Sequence, residues 1–172
     1  MNNKKRLFRA AISLCLALSF ILSLCSCLYS DEMIPCVDIV NALTELEIGL
    51  PAGKVYSLSE NKENHLTESL ISSLYGNGAL PAIAREWLDC ALFVSTLPHP
   101  CEFAVVYCAD RNAAEDTARL FAARLNSLKS LKPDDNYGNM LDNARIAICG
   151  NFVLMIVSSD SENALKIAKK II

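Results

Sequence analysis

The chain has 172 residues, of which 52% are hydrophobic and 20% are charged, and its net charge is −3. This composition is too apolar for a disordered polypeptide. The excess of acidic over basic side chains argues against a protein that binds nucleic acid through a basic surface.

The first 27 residues have the parts of an export signal. Four basic side chains within residues 1–9 form a positive segment, and residues 10–24 follow as an almost uncharged apolar run. That run is shorter than an ordinary transmembrane helix and has the length of a signal-peptide core. The pattern therefore predicts that residues 28–172 are exported.

The signal ends in Leu24-Cys25-Ser26-Cys27, which resembles the lipobox of bacterial lipoproteins. In that comparison Ser26 is the small residue before the cleavage site, whereas modification at Cys25 would place the bulky Leu24 there. We expect residues 1–26 to be removed and Cys27 to carry a diacylglycerol, whose two acyl chains give stable anchoring. The alternative is an uncleaved anchor or an ordinary secretory signal.

Cleavage would leave 146 residues with 12 basic and 19 acidic side chains, a net charge of −7. Such a domain is not attracted to anionic lipid, so we expect its membrane association to come from the lipid anchor alone. Residues 27–34 would form a short lipidated tether. No repeat or flexible linker divides residues 35–172, which predicts a single domain.

Two helices are predicted before the main strands. Residues 35–47 place apolar side chains on one stripe behind Pro35, which suits a first helical turn. Residues 65–76 form a second segment of this kind, with Asn64 as its cap and Gly76 at its end. Residues 55–58 are interpreted only as a short extended piece.

After the second helix the apolar residues no longer recur at helical spacing but form short runs. Residues 89–96 and 101–109 are apolar runs joined by a prolyl loop, which predicts a β-hairpin. Asp110 is placed to cap a long amphipathic helix that ends near Leu131. Residues 132–138 are predicted to be a loop.

A second hairpin and a last helix complete the chain. Residues 145–149 and 152–158 flank a compact turn, and Ser159 with Glu162 has the spacing of a capping box. The order is therefore two helices followed by β-β-α-β-β-α. We expect an α+β fold with a four-stranded antiparallel sheet and helices on one face, the other face being open or partly covered by residues 50–87.

Two cysteines of the domain are candidates for a disulfide. If the first hairpin turns through a three-residue loop, Cys90 lies opposite Cys108, where two thiols can form a disulfide. Export favours oxidation more than the cytosol does. The alternative is that each cysteine is a small apolar core residue.

Metal and catalytic patterns are missing from the sequence. His65 and His99 are the only histidines, and no paired Cys or His spacing predicts a metal site or cofactor. No Gly-x-Ser-x-Gly nucleophile motif occurs. Trp87, Tyr75 and Tyr137 are assigned to core packing in preference to an exposed binding rim. The sequence leans away from an enzyme without excluding one.

Several core and turn segments match a known pattern: Leu74-Tyr75-Gly76, residues 102–106, the helix at 111–131, Tyr137 and residues 143–158. With these the chain resembles a family of small lipoproteins of Gram-positive, mainly spore-forming or gut anaerobic bacteria, carried as a domain of unknown function. The resemblance covers most of residues 35–172. It implies a fold and an extracytoplasmic address but no catalytic residue, and the cysteine-rich strands depart from the family pattern.

The leading hypothesis is a membrane-anchored domain, without enzymatic activity, that binds a protein partner or ligand of the cell envelope. The alternative is an accessory enzyme of cell-envelope polymer modification, and a third reading is a lipoprotein subunit of a transporter or membrane complex. A deep polar pocket would favour the enzyme, whereas an exposed apolar face would favour binding.

Overall fold

Five strands pair into one antiparallel sheet in the computed structural model, which describes residues 33–46, 49–59, 64–96, 99–130 and 135–172. Their order in space is β1-β2-β3-β5-β4, and every neighbouring pair is antiparallel. Residues Ile34–Ile172 form one compact unit. The strands are β1 (Gly53–Ser57), β2 (Trp87–Ser95), β3 (Glu102–Cys108), β4 (Arg145–Cys149) and β5 (Phe152–Val157).

The described residues also form five α-helices and one short 3₁₀ helix at Ala82–Glu86. The predicted α+β class with an antiparallel sheet is thereby confirmed. Among the residues described, no helix has the length and apolar character needed to cross a bilayer. The α-helices are α1 (Cys36–Leu46), α2 (Glu68–Tyr75), α3 (Arg111–Ser130), α4 (Asp135–Asp142) and α5 (Ser161–Ile171).

The predicted number of four strands is wrong, because β1 adds a fifth at the edge of the sheet. Val55 lies opposite Phe93, and the pairing runs from Gly53 to Ser57 along β2. The sequence pattern showed an extended piece here. It could not show the partner, which lies about forty residues further along the chain.

The prediction that helices cover one face of the sheet is also wrong. Every residue of β5, and all of β3 except Tyr107, is buried. Strands that are apolar on both sides need a covering layer on each. Helices α1 and α5 pack on one face against Phe93, Phe103, Val105, Leu154 and Ile156. Helices α2, α3 and α4 pack on the other against Leu92, Ala104, Val106, Val153 and Met155.

The second hairpin and the start of α3 form as predicted. Cys149 pairs with Phe152 across the two-residue turn Gly150-Asn151. Gly150 has a φ of 61°, which suits the first central position of a type II′ hairpin turn. Asp110 caps α3 by accepting a hydrogen bond from the Ala113 N–H at 2.8 Å.

Two other helix caps differ from the prediction by one or three residues. Thr67, not Asn64, caps α2 by accepting from the Leu70 N–H. Asp160, not the Ser159 and Glu162 pair, caps α5. Several polar residues that could act as an N-cap precede each helix, so the local pattern alone did not identify which of them caps it. The predicted loop at 132–138 also overlaps the start of α4, and its first part lies outside the described residues.

A bulge at the start of β2 joins α1 to the sheet. Trp87 lies opposite Cys108 and Asp89 opposite Tyr107, so Leu88 is the extra residue. The buried Asp89 carboxylate accepts the Cys36 N–H at 2.7 Å and the Cys90 N–H at 2.8 Å. Cys36 is the first residue of α1, whose N–H lacks a partner within the helix. Asp89 therefore caps α1 from a distant part of the chain.

We expect Asp89→Ala to lower the free energy of unfolding by about 2–3 kcal/mol, because two backbone N–H groups lose their acceptor in a buried position. The matched control is Asp38→Ala, an exposed acid in the first turn of α1, which should cost about 0.5 kcal/mol through the helix dipole. Urea unfolding of the two variants makes the comparison. Equal costs for the two variants would contradict the assigned role of Asp89.

Candidate functional site

The two cysteines predicted to face each other are not directly opposed. Cys90 lies opposite Val106, and Cys108 lies opposite Trp87. The predicted register is wrong because residues 95–101 separate the last paired residues Val94 and Glu102, which is a longer connection than three residues. Cys27, the predicted site of lipidation, lies outside the described residues.

Cys90 and Cys108 nevertheless share one face of the sheet, where both are buried as free thiols. Their positions are diagonal, and diagonal neighbours lie about 7–8 Å apart. The Cα separation of a disulfide is usually about 4.4–6.8 Å. Cys90 and Cys108 therefore pack as small apolar side chains and not as a disulfide.

The environment of the buried thiols weakens them as nucleophiles. Burial, and then the Asp89 carboxylate, raise the pKa of Cys36 and Cys90 far above the usual range. Burial also raises the pKa of Cys108, although a contact with Thr117 acts in the opposite direction. Because the thiolate is the reactive form, these three residues are protonated and inert at neutral pH.

A polar cluster of Tyr75, Glu102 and Arg124 joins α2, β3 and α3 inside the core. The Tyr75 hydroxyl donates to Glu102 Oε1 at 2.8 Å, and Arg124 donates from Nε and Nη2 to Glu102 Oε2 at 3.1 and 2.8 Å. The side chains of Glu102 and Arg124 are 2% and 17% exposed. Both carboxylate oxygens therefore have partners, as a buried charge requires.

Glu102 raises the pKa of both of its partners in this cluster. Burial, followed by the charge and hydrogen bond of Glu102, raises the pKa of Tyr75 well above its usual value, so the hydroxyl stays protonated. Burial acts to lower the pKa of Arg124, but the ion pair and hydrogen bond with Glu102 outweigh it and raise that pKa. The cluster positions two helices on the sheet through a Glu102 carboxylate whose two oxygens both have partners.

A second polar contact lies beside it in the same layer. Trp87 Nε1 donates to Thr117 Oγ1 at 2.9 Å. The rings of Tyr75 and Trp87 meet edge to face with centroids 6.3 Å apart, and Tyr75 also contacts Phe121 at 5.5 Å. The prediction that Trp87 and Tyr75 belong to the core is confirmed.

Sequence reasoning missed Asp89, Glu102 and Arg124. A usable signal existed for Glu102, because it is the single charged residue within an otherwise apolar run from Cys101 to Ala109. A charge in such a position is buried and needs a partner. No local pattern identified Arg124 as that partner, since it lies 22 residues away on a helix.

The two histidines are in different surroundings. His65 is exposed, and its backbone bridges to Ser57. His99 Nδ1 accepts a hydrogen bond from the Cys101 N–H at 3.1 Å. The rings of His99 and Tyr137 are in contact, with centroids 4.5 Å apart. Partial burial lowers the pKa of His99. Across the described ranges, no group of three or more His, Cys, Asp or Glu side chains could hold a metal ion.

A groove lies between the last turn of α1 and the first turns of α5. Its volume is about 250 Å³, below the 300–1,000 Å³ range typical of small-molecule sites. Leu46 lies at its edge and is 52% exposed. The groove therefore suits an apolar side chain of a protein partner better than a metabolite. Its lining is Leu43, Leu46, Ala164 and Ile167 with the polar Ser159, Asp160 and Asn163.

Comparison with protein-family models, with curated proteins and with solved structures found no match to this chain.

We expect Glu102→Gln to destabilise the fold by about 2–4 kcal/mol, because it leaves the largely buried Arg124 charge without its counter-ion. The control is Asp142→Asn, which breaks the exposed pair with Lys129 and should cost less than about 1 kcal/mol. Denaturant unfolding measures both variants. If Glu102→Gln is as harmless as the control, the ion pair does not hold α3 on the sheet.

Proposed function

We propose that this chain is a bacterial lipoprotein whose domain lies on the extracytoplasmic face of the cell membrane and binds a protein partner of the cell envelope. The observation that carries the proposal is the N-terminal pattern, in which a basic segment and an apolar run lead to Ser26 and Cys27. Acyl chains on Cys27 would supply the anchor. Membership of the Gram-positive lipoprotein family that the chain resembles belongs to the same proposal.

The distance between the anchor and the domain supports a location close to the membrane. Seven residue steps separate Cys27 from Ile34, where the compact unit begins. A fully extended chain of this length covers no more than about 25 Å. The domain would therefore stay near the membrane surface, within reach of partners in the same membrane or in the adjoining envelope.

Three features of the described residues favour binding over catalysis. The buried thiols of Cys36, Cys90 and Cys108 are held in their unreactive protonated form. The Glu102 carboxylate is fully partnered within the core. The groove beside α1 presents an exposed leucine and a small lining of mixed apolar and polar side chains, as expected for a contact with a protein side chain.

The anchor is tested by replacing each cysteine of the lipobox in the full-length chain. We expect Cys27→Ser to abolish the incorporation of labelled palmitate and to release the protein from the membrane fraction of a bacterial host, because the acceptor thiol is lost. Cys25→Ser is the matched control and should keep both properties. Loss of label in Cys25→Ser with retention in Cys27→Ser would assign the anchor to the other cysteine, and label in both variants would refute lipidation at this motif.

Partner binding is tested by a photo-crosslinking amino acid placed at Leu46 in the anchored protein in its native membrane. We expect one discrete adduct with an envelope protein, because position 46 borders the groove. The control carries the same group at Asn126, an exposed position on α3, and should not form that adduct. Identical adduct patterns at the two positions, or no adduct at position 46, would contradict binding at the groove.

A further inference from the structure

The chain enters the domain beside an exposed leucine. Ile34 packs against the core cluster that contains Cys36, and the Cys36 N–H is held by Asp89. Leu88 precedes Asp89 and is 61% exposed. We call this region, defined by Ile34, Cys36 and the bulge at Leu88, the tether end of the domain.

The exposure of Leu88 follows from the bulge. Since Leu88 is the extra residue between two paired positions of β2 and β3, it does not join either face of the sheet that the helices cover. A single exposed leucine is common on protein surfaces. Its significance here comes from its position next to the point where the proposed lipid anchor meets the domain.

The charges around Leu88 do not oppose contact with a lipid surface. Helix α5 begins beside the last turn of α1 and packs against that helix, so its own last turn lies at the tether end. Exposed acids and bases are mixed among the described residues at this end, although the domain as a whole is acidic. The acids are Asp38, Glu86 and Asp110, and the bases are Arg85, Arg111, Lys169 and Lys170.

The tether favours contact of the nearer end of the domain with the membrane. Leu46 lies ten residues beyond Cys36 on α1, about 15 Å along the helix axis, and the tether extends at most about 25 Å. Contact of the Leu46 end with the bilayer would take up much of that length. The tether end meets the bilayer without using it.

We infer that the tether end rests on the membrane, with Leu88 inserted at the boundary between lipid headgroups and acyl chains. The inference rests on the proposed anchor at Cys27 and adds a defined orientation to it. Burial of an apolar side chain in this layer is favourable and adds to the affinity of the acyl chains. In this orientation the groove beside Leu46 faces away from the membrane, towards envelope partners.

The experiment compares Leu88→Trp with Leu46→Trp in the full-length lipidated protein, reconstituted in phosphatidylglycerol–phosphatidylcholine vesicles with brominated acyl chains. Both replaced leucines are exposed, so both variants retain the packing of the core. Trp87 is the only native tryptophan, and the unsubstituted protein gives its baseline. We expect the added emission of Leu88→Trp to shift to the blue and to be quenched by the brominated lipid, and that of Leu46→Trp to remain unquenched. Equal quenching, or stronger quenching at position 46, would overturn the inference.

A second measurement uses Trp87 itself as the reporter next to the contact. Quenching of Trp87 by brominated lipid should fall in Leu88→Asp and stay unchanged in Leu46→Asp. Palmitate labelling of every variant distinguishes loss of the lipid anchor from a change in the orientation of the domain. Labelled protein without preferential quenching overturns the orientation alone, whereas absence of label overturns the anchor and the orientation with it.

Discussion

The burial of β3 and β5 on both faces is the constraint on which the rest of the fold depends. Their side chains alternate between two apolar clusters, so the sheet cannot leave either side to water. Helices α1 and α5 cover one side, and α2, α3 and α4 cover the other. The remaining strands extend the sheet from this centre, and the buried carboxylates Asp89 and Glu102 each meet hydrogen-bond donors.

Two carboxylates join the layers of this structure at opposite ends of β2 and β3. Asp89 holds the first turn of α1 on one face, and Glu102 holds Tyr75 and Arg124 on the other. A buried carboxylate is costly unless each oxygen has a partner, so these contacts specify where the helices sit. Asp89 also places the start of the domain beside Leu88, and the proposed orientation on the membrane follows from that one capping contact.

Elements that are specified by neighbouring residues could be predicted from the sequence. The long helix α3 with its Asp110 cap and the tight hairpin at Gly150 repeat patterns that neighbouring residues impose on the backbone. The pairing of β1 with β2, the register of Cys90 and the Glu102–Arg124 ion pair were not predictable. Each joins residues far apart in sequence, and a change of two residues in a loop alters which side chains meet across a strand pair.

Residues close in sequence specify the proposed lipid anchor at Cys27, the α+β class and most of the helices and hairpins, because periodicity, caps and turns act within a few residues. The tertiary structure decides the second helical layer, the fifth strand, the separation of Cys90 from Cys108 and the exposure of Leu88. These depend on strand register and on the packing of distant segments. The buried acids Asp89 and Glu102, which hold helices on the two faces of the sheet, acquire their roles only when their partners are brought to them.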